Sequence, residues 1–246
     1  MLLLALGATG GAYAALAPST TAAAADGPSA ATLEQGRALF LKNCATCHGL
    51  NAQGSTDGPT LIGVGAASVD FQVGTGRMPG ALLGVQVEAK RPQFSDKQVD
   101  QLAAYVASLG PGPAVPGSAD VDFSQADVAA GGAIYRTNCA MCHNFAGKGG
   151  ALTQGKYAPS LSKTSPKHIY EAMLTGPQSM PVFGDGALTP PEKREVIAFL
   201  RSAATESSPS GATLGKIGTV SEGGIAWLLG LGALVGCAVW LGAKAR

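Results

Sequence analysis

Charge is scarce in this 246-residue chain. Asp, Glu, Lys and Arg make up 13% of it, against roughly 25% in ordinary soluble proteins, and the formal net charge is +1. No basic run carries interleaved aromatics, no glycine-rich loop is built to cradle phosphate, and no Ser/His/Asp set suggests a hydrolytic triad. Nucleic-acid binding and hydrolysis therefore have no support. Weak charge also provides little long-range steering of a diffusing partner, which suits a partner that stays docked. Cysteine and histidine are few, five and three. Once two short motifs take their share, too few remain for a separate zinc site or a disulfide framework.

Those motifs are Cys44-Ala45-Thr46-Cys47-His48 and Cys139-Ala140-Met141-Cys142-His143. In C-x-x-C-H the two thiols are spaced to form thioethers with both vinyl groups of one haem, and the adjacent histidine reaches the iron from the same turn. A bare C-x-x-C also suits a thioredoxin-like redox pair or half of a zinc site. Histidine directly after the second cysteine, twice, argues against both. The expectation is two covalently bound c-type haems, attached at Cys44, Cys47, Cys139 and Cys142, with His48 and His143 as axial ligands.

The apolar share, 46% of the chain, is concentrated at the two ends. Gly223 to Ala243 contains no charged residue, and at about 1.5 Å per helical residue it crosses a hydrocarbon layer of roughly 30 Å. Trp227 and Trp240 lie near its ends, and Lys244 and Arg246 follow it, as expected of a cytoplasmic tail. The body of the chain then lies on the outer face of the cell membrane. At the other end, residues 1–27 form an apolar leader or a second anchor. Ala23-Ala24-Ala25 resembles a signal-peptidase site, yet the basic start of a signal peptide is missing.

Between the ends the chain repeats itself. An offset of 95 residues places Cys44 on Cys139, and Gly36 and Phe40 on Gly131 and Tyr135. Each unit closes on a segment with helical apolar spacing, residues 94–109 and 188–203, with Tyr105 and Phe199 at matching places. The resulting division is a first unit at 28–110, a Pro/Gly/Asp-rich linker at 111–127, a second unit at 128–207, a linker at 208–222 and the membrane helix at 223–243. Helix, haem motif and closing helix resemble the small class I cytochrome c fold, so the predicted architecture is all-α, two such units in tandem plus the anchor.

The sixth iron ligand follows by elimination among five methionines. Met1 is terminal, Met141 lies inside a motif, and Met173 sits at helical spacing, where packing is the ordinary role. Met78 and Met180 remain, each before a proline that disfavours helix, so each belongs to an irregular loop that can lay a thioether across a haem. His/Met ligation leaves no open position for a substrate and favours ferrous iron, as electron transfer requires. His168 is the third histidine. It reads as a solvated residue at a helix start, with replacement of one methionine as the alternative.

The stretches CHGLNAQG and GPTLIGVGAASVDFQVGTGRMP, then CHNFAGKGGALTQGKYAPSL and MLTGPQSMP, together with the C-terminal helix, resemble the dihaem cytochrome c subunit of the cytochrome bcc complex of high-GC Gram-positive bacteria. The resemblance spans nearly the whole chain. It implies menaquinol oxidation by partner subunits, cytochrome b and a Rieske iron–sulfur protein, and delivery through both haems to an aa3-type oxidase. It also implies that Pro59 and Pro159 offer a carbonyl to the haem-ligating histidine, the alternative being ordinary turn prolines. Two other classes stay open on the residues alone. A dihaem peroxidase would need one haem with a displaceable ligand. A subunit of a cbb3-type oxidase or of a dehydrogenase would use the same haems, and in the cbb3 case the anchor is N-terminal.

Overall fold

The computed structural model describes residues 27–80, 84–205 and 219–244. The expected N-terminal leader lies outside them. The first unit begins with α1 (Ala30–Asn43), whose start is fixed by Ser29, its Oγ accepting from the Thr32 amide at 3.1 Å. The motif follows without a break as the single turn α2 (Ala45–His48), and α3 (Gly65–Gly74) and α4 (Asp96–Ala107) complete the unit. Ser95 and Gln98 form a reciprocal capping box at the start of α4, and Val99, Leu102, Ala103 and Val106 form its buried face. Helix α1 crosses α4 at Gly36, where any Cβ would collide with the Gln101 carbonyl. One turn further on, Phe40 packs on Tyr105 with ring centroids 5.4 Å apart.

The second unit repeats this frame. Asp127 caps α5 (Val128–Asn138) by accepting from the amides of Ala129 and Ala130, and the motif forms α6 (Ala140–His143). Then come α7 (Pro166–Thr175), with proline in its first turn and Ser165 as cap, and α8 (Pro190–Thr205). Gly131 meets the Glu195 carbonyl as Gly36 meets Gln101, and Tyr135 stacks against Phe199 at 5.1 Å. The repeat does not predict a small antiparallel pair, β1 (Gly150–Ala151) with β2 (Tyr157–Ala158), which folds the longer loop of this unit back on itself. Two strands of two residues each leave the all-α class unchanged.

Each unit has its own apolar core, one around Phe40, Leu102 and Val106, the other around Tyr135, Ile197 and Leu200. Helices α3 and α7 bring the two units together. The segment after the first unit is tied down at its start, because the Ala67 amide donates to the Pro113 carbonyl at 3.0 Å. The last element, α9 (Thr219–Lys244), includes a 22-residue span from Gly223 to Lys244 with mean hydropathy 2.0. Between Gly223 and Lys244 the leucines, valines and both tryptophans are exposed. A row of apolar side chains left uncovered along a helix of that length is what a lipid layer would cover.

Candidate haem-binding sites

In both units the chain turns from the first helix into the motif by the same bonds. The Cys44 and Cys139 amides donate to Phe40 and Tyr135 carbonyls, and the His48 and His143 amides donate to Cys44 and Cys139 carbonyls, all at 2.8–3.0 Å. Each unit then passes through three left-handed residues 95 positions apart: Gly49 and Asn144, Ala52 and Gly147, Gly54 and Gly149. The Gly54 amide closes back on the His48 carbonyl at 2.8 Å, and Gly149 does the same on His143 at 2.9 Å. Sequence reasoning missed this framework, because at two of the three places glycine in one unit is matched by asparagine or alanine in the other. The only available signal was the shared 95-residue offset itself.

The framework brings the ring nitrogens to the prolines. His48 Nδ1 donates to the Pro59 carbonyl at 2.7 Å, and His143 Nδ1 donates to the Pro159 carbonyl at 3.1 Å. With Nδ1 carrying the proton, Nε2 keeps its lone pair free to bind a metal, and the ring is held in one orientation. Burial holds His143 below the usual imidazole range, which favours the neutral form that a metal needs. Burial pushes the Cys44 and Cys139 thiols up to about 11, the opposite of the depressed value found in a reactive C-x-x-C pair.

The methionines lie in different settings. Met173 is buried at 2% exposure in the second core, and Met141 is 94% exposed on the motif turn. Met78 packs against the first core, as Cys44 does, and Met180 against the second, as Cys139 does. Both sit in irregular backbone, with the Met78 amide bonded to the Gln72 carbonyl and the Met180 amide to the Pro177 carbonyl.

Cys139, Cys142, His143 and Met180 line one cavity of about 480 Å³ in the second unit. His168 and Met173 line the same space, and the thiols, imidazoles and thioethers around it include the donor set of a c-type haem, so the residues present fit that group. Part of the wall comes from the first unit. Phe71 and Arg77 reach the same cavity, with the Arg77 guanidinium 4.8 Å from the Phe71 ring centroid and donating to Thr75 Oγ1 at 2.7 Å. Burial lowers the pKa of Arg77, and no carboxylate among the described residues forms an ion pair with it.

Two reciprocal clamps close the rim. Gln86 pairs through its side-chain amide with both backbone groups of Tyr157, and Gln178 does the same with Val87, each bond 2.8–2.9 Å long. His168 departs from its solvated sequence reading. Its side chain is only 20% exposed, lies edge-on to Phe71 and faces Asp70 and Glu171. The partners from α3 belong to the other unit, so nothing local in sequence revealed them.

Comparison with known proteins finds two cytochrome units in the chain. A cytochrome c family model matches residues 33–110, and the model for cytochrome C oxidase, cbb3-type, subunit III matches 126–200. Cytochrome c units of this kind carry covalent c-type haem. The chain is also similar to a cbb3-type cytochrome c oxidase subunit CcoP of Azospirillum, at 33% identity, but over 53% of this chain and 46% of that protein. The cytochrome bc1 complex cytochrome c subunit of Mycobacterium leprae is 45% identical over 100% of this chain and 87% of its own length. The same subunit of Corynebacterium diphtheriae is 42% identical over 99% and 92%. Similarity that runs through both units and the C-terminal helix, where the oxidase subunit matches only half, decides the question: the chain belongs to the family of cytochrome c subunits of the cytochrome bc1 complex.

Proposed function

We propose that this chain relays electrons within a quinol-oxidising complex of the bcc type, from a Rieske iron–sulfur protein through two c-type haems to an aa3-type oxidase, with cytochrome b as a further partner. The observation that carries the relay is the shared wall. Arg77, which reaches the second unit's cavity, directly precedes Met78, the proposed ligand of the first unit. A cavity wall that the second unit shares with the segment carrying Met78 suits transfer between the units without a diffusing carrier. Electron exchange at the iron is what the haem supplies when bound.

The protein's residues do the rest. Cys44, Cys47, Cys139 and Cys142 fix position, His48 and His143 ligate through Nε2, and Pro59 and Pro159 set the ring orientation. Met78 and Met180 complete the coordination, raise the potential and close the metal to small substrates. Helix α9 anchors the chain, and Lys244 and Arg246 hold its end on the cytoplasmic side, which sets both units on the outer face.

Gentle extraction of the full chain tests the reading. Recovery with cytochrome b, a Rieske protein and an aa3-type oxidase is expected, whereas a free protein with peroxidase turnover overturns it. Met78→Leu and Met180→Leu are each expected to abolish one near-infrared sulfur-to-iron charge-transfer band while the covalent haem count stays at two. If both bands survive both changes, the ligand assignment fails.

A further inference from the structure

The interface between the units holds a group of side chains to which the relay assigns no role, at the edge of the second unit's cavity, which His168 also lines. Asp70 on α3 and His168 and Glu171 on α7 each present one ligand atom, and these three atoms all lie within 4.8 Å of one another. His168 Nε2 is 3.7 Å from Asp70 Oδ1 and 4.0 Å from Glu171 Oε2. The site is enclosed: the Asp70 side chain is 4% exposed and that of Glu171 is 0% exposed.

Glu171 is the informative member. Neither of its carboxylate oxygens receives a hydrogen bond, although both are buried. Burial and the adjacent Asp70 favour the protonated acid, which can share its proton with Asp70; as a carboxylate Glu171 lacks a partner, at a cost on the order of 1–3 kcal/mol, more if charged. Lys167, bound to both oxygens of Asp70 at 2.8–2.9 Å, neutralises only one of the two acids. The side above His168 Nε2 and Asp70 Oδ1 is also left open by the sequence. Gly74 stands one turn after Asp70, and a Cβ there would lie 3.4 Å from the one and 3.5 Å from the other.

From this geometry we infer that Asp70, His168 and Glu171 form a binding site for a divalent transition cation of the zinc type, which joins the two haem units across their interface. One imidazole and two carboxylates are the donors such an ion accepts. Bond lengths of about 2.0–2.2 Å need the three atoms to draw in by only a fraction of their present separations. Asp70 keeps lone pairs free beside Lys167, and Lys167, itself 42% exposed, can swing outward. Without the ion, burial and the neighbouring Asp70 push Glu171 up to about 8, so the cation displaces a proton there.

The test uses the full dihaem chain in detergent, stripped with a chelator and titrated with Zn²⁺ alone. One zinc per chain is expected, with affinity falling tenfold or more in Glu171→Gln and in His168→Gln. The haem count of two serves as the check that each variant is folded. X-ray absorption at the zinc edge is expected to show nitrogen and oxygen neighbours only. Substoichiometric zinc, affinity unchanged in both variants, or sulfur around the metal would each overturn the site. Since His168→Gln removes a partly exposed ring, it keeps the test decisive should Glu171→Gln disturb the core.

Discussion

The two haem units share a frame and differ in how they are closed. Both have the glycine at the helix crossing, the aromatic pair behind the motif, the left-handed turns and the proline carbonyl on the histidine. In the first unit the aromatic is Phe40, sealed at 0% exposure. In the second it is Tyr135, equally sealed, whose hydroxyl donates to the Asn144 carbonyl at 2.7 Å. The second unit also has the β1–β2 fold-back and borrows part of its cavity wall from the first. The difference teaches that the helix crossing is the invariant part, set by backbone contact, while the surroundings of each haem are adjusted by single side chains and by the neighbouring unit.

The crossing is where the comparison is most easily broken. Gly36→Val and Gly131→Val both drive a branched side chain into a carbonyl of the opposing helix. Backbone cannot step aside as a side chain can, so each change is expected to cost about 3 kcal/mol or more and to unfold its own unit. Equal losses in melting temperature, with haem lost from one motif at a time, support equivalence of the two crossings. A mild effect at one of them would show that its helices can slide apart and that the symmetry is superficial.

How much of this was legible in the sequence depends on range. The motifs, the membrane helix and the opening and closing helices are local patterns, and Ser95 and Gln98 announce their helix start by spacing alone. The irregular loops at Met78 and Met180 are also local, because each methionine precedes a proline. The left-handed turn at Ala52 was not legible, since this residue carries no glycine or asparagine signal for its φ of 57°. The strain is accepted because the Ala52 carbonyl receives the Leu61 amide and the Thr60 hydroxyl. His168 was misread for a different reason. Its setting is created by Asp70 and Phe71 from the other unit, and no periodicity within α7 reports a neighbour of that kind.

Exchanging the two aromatics sharpens the contrast with a smaller effect. Phe40→Tyr places a hydroxyl in the sealed first core, and it costs about 1–3 kcal/mol if the turn after the motif fails to offer a carbonyl as Asn144 does. Tyr135→Phe gives the second unit the residue of the first and removes one hydrogen bond, for about 1 kcal/mol. Denaturant unfolding of the two variants measures the pair. A Phe40→Tyr cost no larger than that of Tyr135→Phe would mean that the first unit already holds a waiting acceptor, and that the choice of ring reflects something other than the fold.

The mildest changes address the seam. Gln86→Ala and Gln178→Ala each remove two bonds to the backbone of the opposite unit, at residues open to solvent where water replaces much of what is lost. Each is expected to cost below about 1 kcal/mol and to leave both haem units folded. Hydrogen exchange is the sensitive readout, because the clamped amides belong to Tyr157 for the first glutamine and to Val87 for the second. Faster exchange at Tyr157 alone in Gln86→Ala, and at Val87 alone in Gln178→Ala, would show two independent clamps. Faster exchange at both amides in either variant would mean that the units open as a single hinged joint, with the α3–α7 contact as its remaining hold.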